Sequence, residues 1–175
     1  MFQEERKEFR FEWAHLGDIQ NGRPNLGAQT SVAVYRLLEF TLRDAAIKHC
    51  GVESANRIFR GAGRNSGTAV YEHLIGSATD WNDLLFKMQQ RFKDLGVGIL
   101  RVESVDEAKQ HLVLSIYEDL DCSGLPAVGE AVCTFDEGLL AGLLEAYVGV
   151  AFTVREVDCW CTGERVCRFE ATPAA

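Results

Sequence analysis

The sequence predicts an α+β fold, in which an antiparallel sheet of hairpins packs against a helical layer. Apolar residues recur at helical spacing through much of the first half, and alternating apolar and polar residues flank short turns in the second half. Helices that are followed by antiparallel hairpins are typical of this class. The 175 residues contain three prolines and no repeat or low-complexity run, so we expect a single domain over residues 1–175.

The first half of the chain predicts one short strand and three helices. The strand covers Glu8–Trp13, and a loop rich in glycine and asparagine follows it. Apolar residues recur every three or four positions over residues 30–49, 53–75 and 80–95, which indicates three amphipathic helices. Asp80 can accept hydrogen bonds from free backbone amides at the start of the third helix.

Three glycines, Gly61, Gly63 and Gly67, lie inside the second predicted helix. Their spacing misses that of a dinucleotide-binding loop by one residue, and they do not follow a strand. Glycines inside a helical pattern more often permit close packing of helices or the approach of a ligand. We therefore expect no nucleotide site here.

The second half predicts two hairpins. Residues 97–104 and 111–117 alternate in the manner of strands and form the first hairpin. Residues 150–159 and 166–171 form the second hairpin, around the three-residue connection Thr162-Gly163-Glu164.

A fourth helix, Phe135–Val148, is predicted between the hairpins. It is almost wholly apolar, so it should be buried, and Gly138 and Gly142 should allow a neighbouring element to approach closely. Thr134 and Glu137 have the spacing of a capping box, in which each side chain bonds the other residue's backbone amide.

Composition excludes several classes of partner. The net charge is -8, from 18 basic and 26 acidic side chains, which argues against nucleic acid or an anionic membrane surface as the main partner. No stretch approaches the ~20 consecutive apolar residues of a membrane span, and the first residues do not resemble a signal peptide. We therefore expect a cytoplasmic protein with reduced cysteines.

The cysteines near the C-terminus carry the strongest chemical signal. If the second hairpin is symmetric about Gly163, Cys159 lies opposite Cys167, at a separation from which two thiolates can share a zinc ion. Cys133, just before the fourth helix, could supply a third sulfur.

Other interpretations of the cysteines remain open on spacing alone. No paired C-x-x-C motif occurs, and free cysteines are common in buried cores. Cys122 and Cys161 could be reserve ligands, redox thiols or core residues, and Cys50 is predicted to be a core residue.

Several segments resemble one family, the 4-vinyl reductase domain, also called a predicted hydrocarbon-binding domain. The specific segments are Gly138–Leu143, Gly149 with Val154–Cys159, and Gly163–Phe169, and the looser ones are Gly22–Gly27 and Ala62–Gly67. The resemblance implies an α+β ligand-binding fold shared with subunits of vesicle-tethering complexes. The family includes the sensory domains of phenol- and xylene-responsive transcription activators and a protein of bacteriochlorophyll synthesis.

The resemblance also implies a ligand set for structural zinc. In the phenol sensors, three cysteines and a glutamate hold the ion, and the glutamate lies three residues before the second cysteine and the third cysteine eight after it. Cys133, Glu156, Cys159 and Cys167 reproduce that order and spacing. Four protein ligands leave no position for activated water, so the implied role is structural.

One geometric condition applies to that ligand set. In an unbroken strand Glu156 and Cys159 would point to opposite faces, so a shared metal requires a bulge or a strand end near Val157 and Asp158. Without it, water, Cys161 or a histidine would have to be the fourth ligand.

The function expected from this reading is the binding or sensing of a hydrophobic or aromatic small molecule. The four histidines fit no catalytic motif, and no phosphate loop or serine elbow is present, so we expect no enzyme even though the family name implies a vinyl reductase. The predicted pocket residues, each of which could equally be plain core, are Tyr71, Trp81, Leu85, Phe86, Leu112, Leu114 and Tyr147.

Two alternatives to ligand sensing stay open. One is an accessory protein or reductase of tetrapyrrole metabolism, and the other is an interaction protein without a ligand. The family's habit of association implies a homodimer.

Overall fold

The structure, a computed structural model, describes residues 10–174. The chain divides into two compact units, Met1–Thr30 and Ser31–Ala175. The expectation of a single domain stays a prediction.

The first unit contains only short turns of helix within its described part. Trp13–Leu16 is a 3-10 turn and Ile19–Gly22 is a single helical turn, α1, whose start is capped by the Asp18 carboxylate. The predicted strand Glu8–Trp13 is wrong where it can be compared, because Trp13 begins the 3-10 turn and the residues before it, back to Arg10, are not in a strand. Glu8 and Phe9 lie outside the described residues.

The second unit contains four longer helices, close to the predicted positions. They are α2 (Val32–Cys50), α3 (Val52–Val70), α4 (Trp81–Leu95) and α5 (Thr134–Val148). The predicted cap of α4 is confirmed, since the Asp80 carboxylate accepts from the Asp83 amide at 2.9 Å. The helical pattern that was predicted to run to residue 75 changes after α3 to a π-helical turn, Tyr71–Ile75.

Four antiparallel strands form one sheet in the order β1-β2-β4-β3. They are β1 (Ile99–Asp106), β2 (His111–Tyr117), β3 (Phe152–Asp158) and β4 (Cys167–Pro173). Both hairpins are confirmed, and with them the α+β class. The second connection is longer than predicted, because the chain forms a 3-10 turn at Trp160–Thr162 before the left-handed Gly163.

The main core lies between the sheet and the two helices α4 and α5. α5 is buried along most of its length, as its apolar sequence predicts, and α3 packs on it. A Cβ atom added to Gly63 or Gly67 of α3 would lie about 2 Å from a backbone oxygen of α5, and Gly138 and Gly142 show the reverse relation. The glycines therefore permit close helix packing, as predicted.

The predicted capping box at α5 is wrong. Cys133 occupies the N-cap position, and Thr134 is already helical. The Glu137 carboxylate instead accepts from the Arg60 guanidinium of α3 and from the Glu156 amide of β3 at 2.9 Å. A capping residue was not available because tertiary partners bind it, and the result is a link from α3 through α5 to the sheet.

Candidate metal centre

Four cysteines from four separate segments converge at one end of the sheet. Cys122 lies in the loop after β2, Cys133 precedes α5, Cys159 follows β3, and Cys167 begins β4. The alternation of β4 turns Cys167 inward together with Phe169, and all four cysteine side chains have no exposed surface. The site thus joins two loops, a helix and a hairpin.

The sulfur atoms have the spacing of ligands around a single ion. Sγ of Cys133 is 3.4 Å from Cys122, 3.9 Å from Cys159 and 3.7 Å from Cys167. Sγ of Cys122 is 3.1 Å from Cys167 and 4.0 Å from Cys159, and all four sulfur atoms lie within 4.8 Å of one another. Four sulfurs placed tetrahedrally at 2.3 Å from zinc would be about 3.8 Å apart, whereas a disulfide bond is only about 2.05 Å long. The cysteines therefore fit one tetrahedral, thiolate-bound ion.

The bulge required by the sequence is present. The pairing of β3 with β4 shifts between Glu156 and Asp158, so an extra residue, Val157, stands on the exposed side. Glu156 and Cys159 are both buried as a result. One carboxylate oxygen of Glu156 accepts from the Cys133 amide at 3.1 Å, and the other is buried without a hydrogen-bond partner.

The structure brings together three of the four predicted ligands and adds Cys122. Glu156 lies beside this group, bonded to the backbone of Cys133, and it does not belong to the set of mutually close sulfurs. Cys161 is buried but stays outside the group. Cys50 is exposed, so its assignment to the core is wrong, because the end of α2 turns it toward solvent.

The electrostatics of the thiol group favour a bound cation. Contact with the other thiols, Cys122 first, together with burial raises the pKa of Cys133, whereas the pKa of Cys159 is lowered because its sulfur accepts from Cys122 and its neighbours. Four thiolates at these distances repel one another strongly in a buried site. A divalent cation would allow all four to ionise.

Buried carboxyl groups border the thiols. Asp119 follows β2 and Asp136 lies in the first turn of α5, and burial raises the pKa of both. Burial and the nearby Asp119 raise the pKa of Asp121 to about 7, and burial and Asp121 raise the pKa of Glu39 to about 8. The sequence analysis missed these carboxyl groups, although the run Asp119-Leu120-Asp121-Cys122 directly after a buried strand was a usable signal.

The predicted pocket residues fall into three groups. The rings of Tyr71 and Trp81 both lie against Tyr147, with centroids 6.5 Å and 5.2 Å away respectively. Leu85, together with Leu112 and Leu114 of the sheet, belongs to the hydrophobic core. Phe86 is 60% exposed on the outer side of α4, so it does not join the three rings.

The fold and the thiol centre define the class of protein: an α+β domain with a buried group of cysteines between sheet and helix. The family model of the 4-vinyl reductase domain matches residues 112–173, which contain all four cysteines. The chain belongs to this family, as the sequence resemblance indicated.

Known proteins of similar sequence and fold agree with this assignment. The uncharacterized protein MJ1642 of Methanocaldococcus jannaschii is 31% identical over 147 residues, which are 83% of this chain and 79% of the relative.

Two solved structures share the fold. The phenol-responsive sensory domain of the transcription activator PoxR with phenol has a TM-score of 0.63 at 20% identity, covering 83% of this chain and 76% of that one. A trafficking protein particle complex subunit 3 from Naegleria fowleri, covalently bound to palmitic acid, has a TM-score of 0.63 at 14% identity, covering 82% and 95%. These two confirm the predicted relation to sensory domains and vesicle-tethering subunits at the level of the fold.

No helix among residues 10–174 has both the length and the apolar composition needed to cross a membrane.

Proposed function

We propose that this chain is a binding or sensing domain for a hydrophobic or aromatic small molecule, with a fold held together by structural zinc. The observation that carries the zinc assignment is the mutual spacing of the four buried sulfurs of Cys122, Cys133, Cys159 and Cys167. Zinc suits such a site because four thiolates complete its tetrahedral shell, and the role is structural because no coordination position is left for water.

Single-ion binding is favoured over an iron–sulfur cluster on geometric grounds. In a cluster the cysteine sulfurs bind different iron atoms that are themselves separated by bridging sulfides, so at least some of the sulfurs must lie well beyond the reach of one ion. Here all four lie within 4.8 Å of one another. We therefore assign the centre to one ion and propose zinc.

Cys122 is proposed as the fourth ligand in place of Glu156. A carboxylate oxygen of Glu156 already accepts from the Cys133 amide, so this residue would position Cys133. The ligand set expected from the phenol sensors, with Glu156 bound to the ion and Cys122 free, is the competing arrangement.

A pair of conservative variants distinguishes the two ligand sets. We expect Cys122→Ser to lower zinc affinity by more than roughly 100-fold, and Glu156→Gln by roughly 10-fold or less, because the glutamine oxygen can still accept from Cys133. Competition with a chromophoric chelator would measure both affinities. The reverse order would make Glu156 the ligand and overturn the assignment of Cys122.

The binding function is supported by the shared fold and by a group of aromatic rings. The similar PoxR domain is described with phenol, and the tethering subunit with palmitic acid. In this chain Tyr71, Trp81 and Tyr147 meet where the π-helical turn, the start of α4 and the end of α5 come together. π-Helical turns are frequent at functional sites because they displace side chains from the regular helical positions.

We expect phenol or palmitic acid to change the fluorescence of Trp81 in the purified chain. Tyr147→Ala should weaken the response by about tenfold, because the Trp81 ring packs against Tyr147 at 5.2 Å. Phe86→Ala is the control, since Phe86 is largely exposed and apart from the three rings. Trp81→Phe identifies the signal among the three tryptophans. No response to either probe, or equal responses in the two alanine variants, would count against a pocket at these rings.

The predicted homodimer and cytoplasmic location stay predictions.

A further inference from the structure

The thiol group has a second set of potential ligands on one side. The Sγ atom of Cys133, a carboxylate oxygen of Asp119 and a carboxylate oxygen of Asp136 lie within 4.8 Å of one another. Cys133 thus belongs both to the four sulfurs and to this second set. A thiolate sulfur has more than one lone pair, so it can bridge two metal ions.

The two carboxylates are buried and only partly satisfied. Oδ1 of Asp119 accepts from the amides of Asp121 and Cys122, at 2.8 and 3.2 Å, while its Oδ2 has no hydrogen-bond partner. Oδ2 of Asp136 also has no partner. Asp119 is 1% exposed and Asp136 is 2% exposed, so bulk water does not solvate the two oxygens. Buried carboxylate oxygens in this state require a cation or a proton for their stabilisation.

The nearby arginines do not compensate for this charge. Arg36 donates to the backbone carbonyls of Leu120, Asp119 and Ser123. Arg43 donates to Asn56, the Val132 carbonyl and Thr134. Among the ion pairs within residues 10–174, none includes the carboxylate of Asp119, Asp121 or Asp136.

A four-thiolate zinc site increases the need for positive charge. Four thiolates around one divalent ion leave a net charge of about -2, next to these carboxylates. Two buried carboxylates beside such a centre would be strongly destabilising without a counterion.

We propose that Asp119, Asp136 and Cys133 bind a second divalent cation, and that the Cys133 sulfur bridges it to the thiolate-bound ion. The inference rests on the four-thiolate site of the proposed function, which it extends to a centre of two metal ions. Two carboxylates and one thiolate form a mixed donor set that suits Zn²⁺, Fe²⁺ or Co²⁺ better than Mg²⁺ or Ca²⁺, which prefer oxygen ligands alone.

The second site would differ from the first in having an open coordination position. Three protein ligands leave room for water or for a fourth oxygen, and the unpartnered Oδ2 of the neighbouring Asp121 is a candidate. A surface cavity of about 610 Å³ is lined in part by Asp119, Arg36 and Trp160, which offers a route for an ion from solvent.

Cobalt titration of the full chain tests the proposal. Metal-free, reduced protein is titrated anaerobically with Co²⁺ alone, and bound metal is counted by mass spectrometry after gel filtration. We expect the wild type to retain two ions per chain. Thiolate-to-cobalt absorption should accompany the first, and the second should reduce the electron paramagnetic resonance signal of the first, because a bridging sulfur couples their spins.

Two conservative variants locate the second ion. Asp136→Asn and Asp119→Asn should each retain one ion with its thiolate absorption intact, since the amide replaces the charge but keeps the shape and, at position 119, an acceptor for the loop amides. Asp106→Asn is the control, because its carboxylate lies at the exposed end of β1 and bonds Lys109, and it should retain two ions.

The outcomes separate the two proposals. One ion in the wild type would overturn the second site and leave the thiolate site in place. No thiolate absorption at all would overturn both. Two ions in both aspartate variants, or an unchanged resonance signal after the second addition, would show that these carboxylates or the bridging sulfur do not bind the second ion. The wild-type count decides the matter even if a variant fails to fold.

Discussion

Replacing Gly142 with alanine is expected to destabilise the fold by more than about 3 kcal/mol, which corresponds to a melting temperature lower by roughly 10 °C for a chain of this size. The added Cβ would lie 2.1 Å from the Arg64 oxygen and 3.0 Å from the Arg64 Cα atom. Both obstacles are backbone atoms, so no change of rotamer can relieve the clash and the two helices must separate.

The consequences of that separation would extend beyond the two helices. The Arg64 guanidinium pairs with Glu145 of α5, which also accepts from the Phe152 amide of β3 at 2.7 Å. A displacement of α3 from α5 would therefore strain a link to the sheet as well as the helix interface.

Gly61→Ala is the matched control for Gly142→Ala. Gly61 lies in the same helix as Gly63 and Gly67, but a Cβ added there would meet nothing within 4 Å. Alanine at this exposed helical position should stabilise the protein by about 0.5–1 kcal/mol. Thermal unfolding followed by circular dichroism measures both variants. Equal melting temperatures for Gly142→Ala and the wild type would show that α3 and α5 are not in such close contact.

Replacing Cys167 with serine is expected to remove the bound zinc and to destabilise the protein by about 4–5 kcal/mol, the range typical of the loss of a structural metal. Cys167 begins β4, and its sulfur lies 3.1 Å from that of Cys122 and 3.7 Å from that of Cys133. Without the ion, the loop after β2 and the start of α5 lose their connection to the hairpin. Metal content and chemical unfolding measure the two effects.

Two other cysteines control for the removal of a thiol as such. Cys161→Ala removes a buried thiol two residues from Cys159 but outside the group of four, and Cys50→Ser removes an exposed one. Both should retain the wild-type metal content. Treatment of the wild type with a strong chelator should lower its stability to that of Cys167→Ser. A serine variant that kept full metal content and wild-type stability would exclude a structural role for Cys167.

The sequence by itself determined the helices and hairpins of the second unit and the position of the thiol centre along the chain. Helical periodicity and strand alternation are local patterns, and they gave α2, β2 and α5 to within two residues. The alternation of β4 also turned Cys167 inward, and the requirement that Glu156 and Cys159 share one side predicted the bulge at Val157.

Only the tertiary structure decided which side chains complete the centre. Cys122 approaches Cys167 across 45 residues of sequence, in a loop whose path no local pattern specifies. Glu137 has the spacing of a capping residue, but Arg60, 77 residues away, binds its carboxylate. A local pattern states what a segment can form on its own, and partners distant in sequence determine which of its polar groups are used for something else.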